Sequence, residues 1–356
     1  MAWRRPQSHF GQLRDKTGNY INCDEISESG ASAWYARRAL LRAAVFDKRD
    51  PEPWARRPAT VATGVVADVR DDAIVLDSRS GAVSVAVSPD TVTWSGYRTT
   101  TSALRPGDRA IIKHRPADGD SPARLVAERI WSRIGRVTGA ITAADGREFL
   151  VDTGRHGKPP ERVVLMAAQE RQIQVRFPRL APGYLLDVIG TRHGDHLLAV
   201  APATAQPPYR AGQWPAPPLV SGPVPVPISG SAVWHEPDEE SPDLLGLGYP
   251  ALDPVAGRRA SDDQAHAEGT PGAAGCVRLP YLSLGSAVRV RNECTDRAVV
   301  LPVTSEGALA RQFCDRCVEC GTSPKGRVAD LTMAAFVELG GSLEDGCFNA
   351  TLTLAG

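Results

Sequence analysis

No stretch of this chain approaches the roughly 18–20 consecutive apolar residues that a membrane-spanning helix requires. Net charge is missing as well. Lys and Arg number 41, Asp and Glu number 41, so no long-range field draws the protein to nucleic acid or to an anionic lipid surface. The short basic clusters Arg133-Ile134-Gly135-Arg136 and Arg258-Arg259 lie among acids and read as solvated loop faces. Runs with helical periodicity are scarce, whereas 33 glycines and 29 prolines favour β structure punctuated by turns. Neither a Gly-rich phosphate loop, a nucleophile elbow nor an HExxH motif occurs. A secretion signal is not recognisable either. The nearest candidate, Ala36 to Phe46 with twin Arg37-Arg38, is interrupted by Arg42 and stopped by Asp47. It reads instead as part of a short amphipathic helix over 33–46, in an otherwise irregular segment 1–58 closed by Pro51 and Pro53.

Cysteine is distributed unevenly. Cys23 stands alone, while Cys276, Cys294, Cys314, Cys317, Cys320 and Cys347 cluster near the C-terminus. An even set concentrated in one small region reads as a disulfide framework made in an oxidising compartment, without fixing the pairing. The spacing Cys314-x-x-Cys317-x-x-Cys320 also suits a metal, so a zinc or iron–sulfur site completed by Cys294 or Cys347 is the alternative. His193-Gly194-Asp195-His196 reads as a solvated hairpin turn rather than a metal pair.

Between Val61 and Ala203 the chain repeats itself at an offset of about 75 residues. Thr63-Gly64-Val65-Val66 returns as Thr138-Gly139-Ala140-Ile141, and Ile74-Val75-Leu76-Asp77 as Phe149-Leu150-Val151-Asp152. Leu104-Arg105-Pro106-Gly107 returns as Leu180-Ala181-Pro182-Gly183, each with the turn chemistry expected before a strand. Each copy reads as several short strands closing a small OB-like barrel, over 61–133 and 134–203. OB-like barrels bind oligonucleotides or sugars in other settings, but that is fold analogy. The aromatics that could stack a base or sugar here (Trp94, Tyr97, Trp131, Phe177 and Tyr184) read as core or rim packing. The repeats read as spacer or adhesion modules. A proline-rich linker over 204–228 follows; nine prolines fall between Pro202 and Pro227, so it should run extended.

The remaining third, 229–356, carries β-type alternation in Val288, Val290, Val299, Leu301 and Val303. A short helix should follow Asp330, with either Asp330 or Thr332 as its cap and Gly340-Gly341 as its end. Phe348, Ala350, Leu352 and Leu354 mark a closing strand.

Four segments of this region resemble double-psi β-barrels of the RlpA-like and expansin-like (barwin-related) superfamily. Gly230-Ser231-Ala232-Val233-Trp234-His235 is similar to the first strand of that family, and Leu279-Pro280 through Val290-Arg291-Asn292 to its "LP-x-G-T-x-V-R-V-T-N" stretch. Asp315-Arg316-Cys317 and Arg327-Val328-Ala329-Asp330-Leu331-Thr332-Met333-Ala334-Ala335-Phe336 are similar to its two acidic signatures. The resemblance implies an extracellular or cell-surface protein that binds or loosens a cell-wall polysaccharide, peptidoglycan or a cellulose-like glycan, and needs no cofactor. It places Asp330 first and Asp315 second as wall-contacting residues, and as the catalytic pair if bonds are cleaved. Trp234 and Tyr281 would stack on sugar, and the six clustered cysteines would form disulfides. Two departures favour binding over cleavage. The segment Ala273 to Pro280 lacks the histidine of RlpA-type lytic transglycosylases, and Val233 stands where expansins carry a threonine. A lytic transglycosylase or glycoside hydrolase is the alternative. The expected architecture is mainly β: two tandem OB-like barrels, a proline-rich linker and a C-terminal double-psi barrel.

Overall fold

A computed structural model of the chain describes residues 60–79, 81–116, 125–154, 158–205, 210, 227–236, 245–250, 279–280, 282–307 and 326–354. The expected N-terminal helix, most of the proline-rich segment, Arg258-Arg259, Cys23, Cys276, Tyr281, Cys314, Asp315, Cys317 and Cys320 lie outside them. The described chain is mainly β and forms three small closed barrels.

In the first barrel β1 (Val61–Val69), β2 (Ala73–Ser78), β3 (Gly81–Ala86), β6 (Arg109–Pro116) and β7 (Leu125–Ser132) form a ring. The pairings β1–β2, β2–β3, β6–β7 and β1–β6 are antiparallel, and β3–β7 is parallel and closes it. The second barrel repeats this plan with β8 (Ile134–Asp145), β9 (Glu148–Asp152), β10 (Glu161–Leu165), β11 (Leu185–His193) and β12 (His196–Pro202); its one parallel pair is β10–β12. This is the OB order of five strands. The copies differ between their third and fourth strands. There the first inserts β4 (Val92–Trp94) and β5 (Arg98–Thr99), and the second inserts helix α1 (Glu170–Arg176).

The repeated residues are the ones that this closure needs. A Cβ on Gly64 would lie 2.6 Å from the Asp77 carbonyl oxygen, and one on Gly139 would meet the Asp152 carbonyl oxygen inside contact distance. The Pro-Gly turns dock on the first strand in the same way in both copies. Gly107 N donates to Val66 O at 2.8 Å and Gly183 N to Ile141 O at 2.7 Å, each glycine at positive φ.

The third barrel comprises β13 (Ile228–His235), β14 (Leu247–Tyr249), β15 (Ala287–Asn292), β16 (Ala298–Glu306), β17 (Arg327–Thr332) and β18 (Cys347–Leu354), in the ring order β13-β17-β14-β16-β15-β18. Two pairs are parallel, β13–β17 and β14–β16. Exchanging β13, β14 and β15 for β16, β17 and β18 maps the ring onto itself and one parallel pair onto the other. The barrel is thus built from two interleaved three-strand halves. Val288 faces Leu301 and Val290 faces Val299, so the alternating residues meet in register. Helix α2 (Met333–Glu338) follows β17, and Thr332 is its cap: its Oγ1 accepts from Ala335 N at 3.4 Å. Asp330 is left on the strand.

The barrels are not strung apart as spacers. Val61, Ile111 and Trp131 of the first barrel and Ile134 and Ile189 of the second share one buried cluster with Met333 and Leu343 of the third. Polar ties reinforce it. Thr60 N donates to Glu338 Oε1 at 2.7 Å, Arg129 pairs with Glu344 at 2.6 Å, and the Trp131 indole N–H also reaches Glu344.

Candidate functional site

Asp330 lies near the end of β17, paired with Val233 of β13 on one side and Gly248 of β14 on the other. His235, the last residue of β13, brings Nδ1 to 3.2 Å from Asp330 Oδ1, an ion-pair distance. Both side chains stay partly open to solvent, 27% for His235 and 21% for Asp330. Ser305 of β16 is opposite Gly248 in register. A Cβ on Gly248 would sit 3.1 Å from Ser305 Oγ and 3.3 Å from Asp330 Cβ. A side chain at 248 would crowd both neighbours, so the glycine is what lets β14 lie closely between β16 and β17 beside Asp330.

Burial pushes the Asp330 carboxyl up, but His235 outweighs it, with smaller contributions from Arg327 and Arg136. The group is held below the ordinary carboxylate range. It is an anion at neutral pH. Such a group can accept hydrogen bonds from sugar hydroxyls, or act as a base or nucleophile. It is not the raised-pKa carboxylic acid that protonates a leaving glycosidic oxygen.

Behind the site lies a buried charge network. Asp187 of β11 is fully enclosed and accepts from Arg136 (Nε at 2.8 Å, Nη2 at 2.6 Å), Arg327 Nη2 at 2.6 Å, Thr138 Oγ1 at 2.8 Å and Thr204 Oγ1 at 2.9 Å. Burial raises its carboxyl, yet the two guanidinium groups overcome that and drive it far below the usual range. Arg136 Nη1 also donates to Trp234 O at 3.0 Å and Gly346 O at 2.7 Å, and its guanidinium lies over the Trp234 ring. The network thus fastens both strands of the Asp330–His235 pair to the second barrel, β17 through Arg327 and β13 through Trp234.

Of the residues expected at the site, Asp330 is partly exposed near the end of β17 and Trp234 is buried. Trp234 is 1% exposed, and its indole Nε1 donates to Leu343 O at 2.8 Å. Its ring packs the interface and has no face to offer a sugar. Asp315 and Tyr281 fall outside the described residues. So do four of the six clustered cysteines; of the other two, Cys294 is exposed and Cys347 is buried against Val233. Arg136 is a second correction: expected on a solvated loop, it is 6% exposed and fully engaged. Trp94, Trp131 and Phe177 are buried, as core residues should be, while Tyr97 is 69% exposed.

The placement of His235 beside Asp330 has no signature in the sequence, because the parallel β13–β17 pairing that brings them together joins residues about 95 positions apart. His193 and His196 stack at 5.9 Å in the β11–β12 hairpin, bonded to Thr191 and Asp195 respectively. Among the described residues no group of three or more His, Cys, Asp or Glu side chains could hold a metal, and no helix is long and apolar enough to cross a membrane. Neither a family model nor a curated protein matches the chain.

Proposed function

We propose that the C-terminal barrel binds a cell-wall polysaccharide at the surface around Asp330 and His235, without cleaving it. The observation that carries this reading is the Asp330 carboxylate. It is partly exposed, kept ionised by His235, and lies at the end of β17 next to the partly exposed His235 ring. Carboxylate acceptors are the usual recognition elements for vicinal sugar hydroxyls, being charge-assisted and stronger than neutral acceptors. The absence of a raised carboxyl pKa at Asp330 favours retention over general-acid cleavage. The resemblance of the Arg327–Phe336 segment to the acidic signature of RlpA-like and expansin-like barrels points the same way. With it goes an extracytoplasmic location, on the strength of the six clustered cysteines.

A glycan-cleaving enzyme is the second reading, and His235 is the observation in its favour. RlpA-type enzymes use a histidine that the 273–280 segment lacks, and here β13 supplies one beside the acidic residue. The two readings separate in one experiment. The full chain is sedimented with insoluble peptidoglycan or cellulose, and the supernatant is assayed for released reducing ends or muropeptides. Retention that is lost in Asp330→Asn, with no release from wild type, is the expected result. Release by wild type that disappears in Asp330→Asn would establish the enzyme. No retention on either polymer would end the polysaccharide reading.

A further inference from the structure

Where the three barrels meet, three arginines stand side by side. Arg109 opens β6, Arg133 is the single residue between β7 and β8, and Arg192 lies near the end of β11. Backbone hydrogen bonds join them in a row: Arg133 N donates to Arg109 O at 2.8 Å, and Arg192 N donates to Arg133 O at 2.8 Å. Like charges on adjacent strands repel, so such a row is unfavourable unless something negative offsets it. All three line a cleft of about 70 Å³, with Ile111, Ile134 and Met333 as its apolar wall and Glu236 as its one carboxylate. Glu236 is already engaged. It pairs with Arg192 at 2.8 Å and accepts from Arg136 N at 2.6 Å. Arg192 also pairs with Glu161 at 2.7 Å, so its charge is offset twice.

Arg133 is only partly satisfied, its Nη2 donating to Ser95 Oγ at 3.2 Å. Its Nε is buried and, among the described residues, meets no acceptor in hydrogen-bond geometry; the Asp108 carboxylate stops at 3.6 Å. Its backbone sits at φ 51°, a conformation that favours glycine, although an arginine occupies it. A strained arginine whose guanidinium has only a distant carboxylate and one hydroxyl as partners, in a cleft shared with two further arginines, suggests a ligand that supplies a closer acceptor.

We propose that this cleft is an oxyanion site that takes one carboxylate, phosphate or sulfate group between Arg109 and Arg133. Guanidinium groups suit such anions because their forked N–H donors match two oxygens at once. The space admits a single anionic group rather than a length of polymer. The site does not depend on the glycan reading: His235 turns toward Asp330, whereas its neighbour Glu236 turns toward Arg192.

The test is calorimetric titration of the full chain with inorganic phosphate, sulfate and glucuronate, with chloride at matched ionic strength as control. Two variants accompany it. Arg109→Gln keeps the backbone bonds, and Arg133→Gly removes the guanidinium while relieving the positive φ, so folding is not put at risk. Saturable binding of at least one oxyanion, weakened at least about ten-fold in both variants, is the expected outcome. Preference for phosphate and sulfate would mark a tetrahedral group as the natural occupant, and preference for glucuronate a sugar carboxylate. Heats that chloride reproduces, or affinities that both variants retain, overturn the proposal.

Discussion

Arg136 and Asp187 meet as a two-pronged ion pair sealed from water, Nε to Oδ1 at 2.8 Å and Nη2 to Oδ2 at 2.6 Å. Arg327 reaches the same carboxylate from the third barrel, so one acid holds two cations from two different modules. Desolvation makes such clusters costly to build, and breaking one is costlier, because a buried charge is then left without its partner. The network acts as a lock on the relative placement of the second and third barrels, and the strand that carries Asp330 begins at that lock.

Asp187→Asn should therefore destabilise the protein by about 3–5 kcal/mol, read as a fall in the denaturant midpoint. It should also change the acid response. The folded carboxyl is depressed, so its stabilisation is complete above the unfolded pKa of about 3.9 and is lost as pH falls below that value. Wild type should lose stability steeply below about pH 4, and Asp187→Asn should start lower and lose less over the same interval. Parallel pH profiles for the two proteins would refute the assignment.

Gly139→Ala is the most demanding test of the repeat. The new methyl would meet the Asp152 carbonyl oxygen across the β8–β9 pair, and the strands must part to admit it. A loss of about 1–3 kcal/mol is expected. Gly64→Ala, placed against Asp77 in the first copy, should behave alike. Alanine at Gly146, whose Cβ would meet nothing within 4 Å, isolates the cost of positive φ alone.

Much of this fold was legible because its signals are local. Thr-Gly, Pro-Gly and the Ile74–Asp77 type of run recur in one order, and each marks a contact made again in the second copy. The alternation of Val288, Val290, Leu301 and Val303 likewise gave the facing strands. What stayed hidden depends on long-range pairing. Arg136 looked like a surface charge because its partners Asp187, Trp234 and Gly346 arrive from three other elements, up to 210 residues away. His235 needed the parallel β13–β17 register to find Asp330. Trp234 showed only that it is large and aromatic, a property that serves a buried interface as well as a sugar platform.

The cap and the site can be separated by mutation, since Thr332 and Asp330 are two residues apart on one strand. Thr332→Ala should cost about 1 kcal/mol through loss of the helix cap and leave polysaccharide retention intact once the protein is folded. Asp330→Asn should do the reverse, shifting thermal stability little and abolishing retention. Equal losses of stability in the two variants, with retention preserved in both, would assign Asp330 a purely structural role.

Trp234→Phe addresses the remaining aromatic. Phenylalanine keeps most of the buried ring but gives up the indole N–H bond to Leu343 O, and leaves that carbonyl without its donor. The expected loss is about 1–3 kcal/mol. The cation–π contact with Arg136 weakens as well, since indole is the best of the aromatic partners for a guanidinium. Affinity for peptidoglycan or cellulose should not change at temperatures where the variant is fully folded, because the ring is 1% exposed and packs against Arg136 and Leu343 rather than on the surface. A clear drop in polysaccharide retention, measured by sedimentation with the far-UV spectrum intact, would return Trp234 to the binding surface.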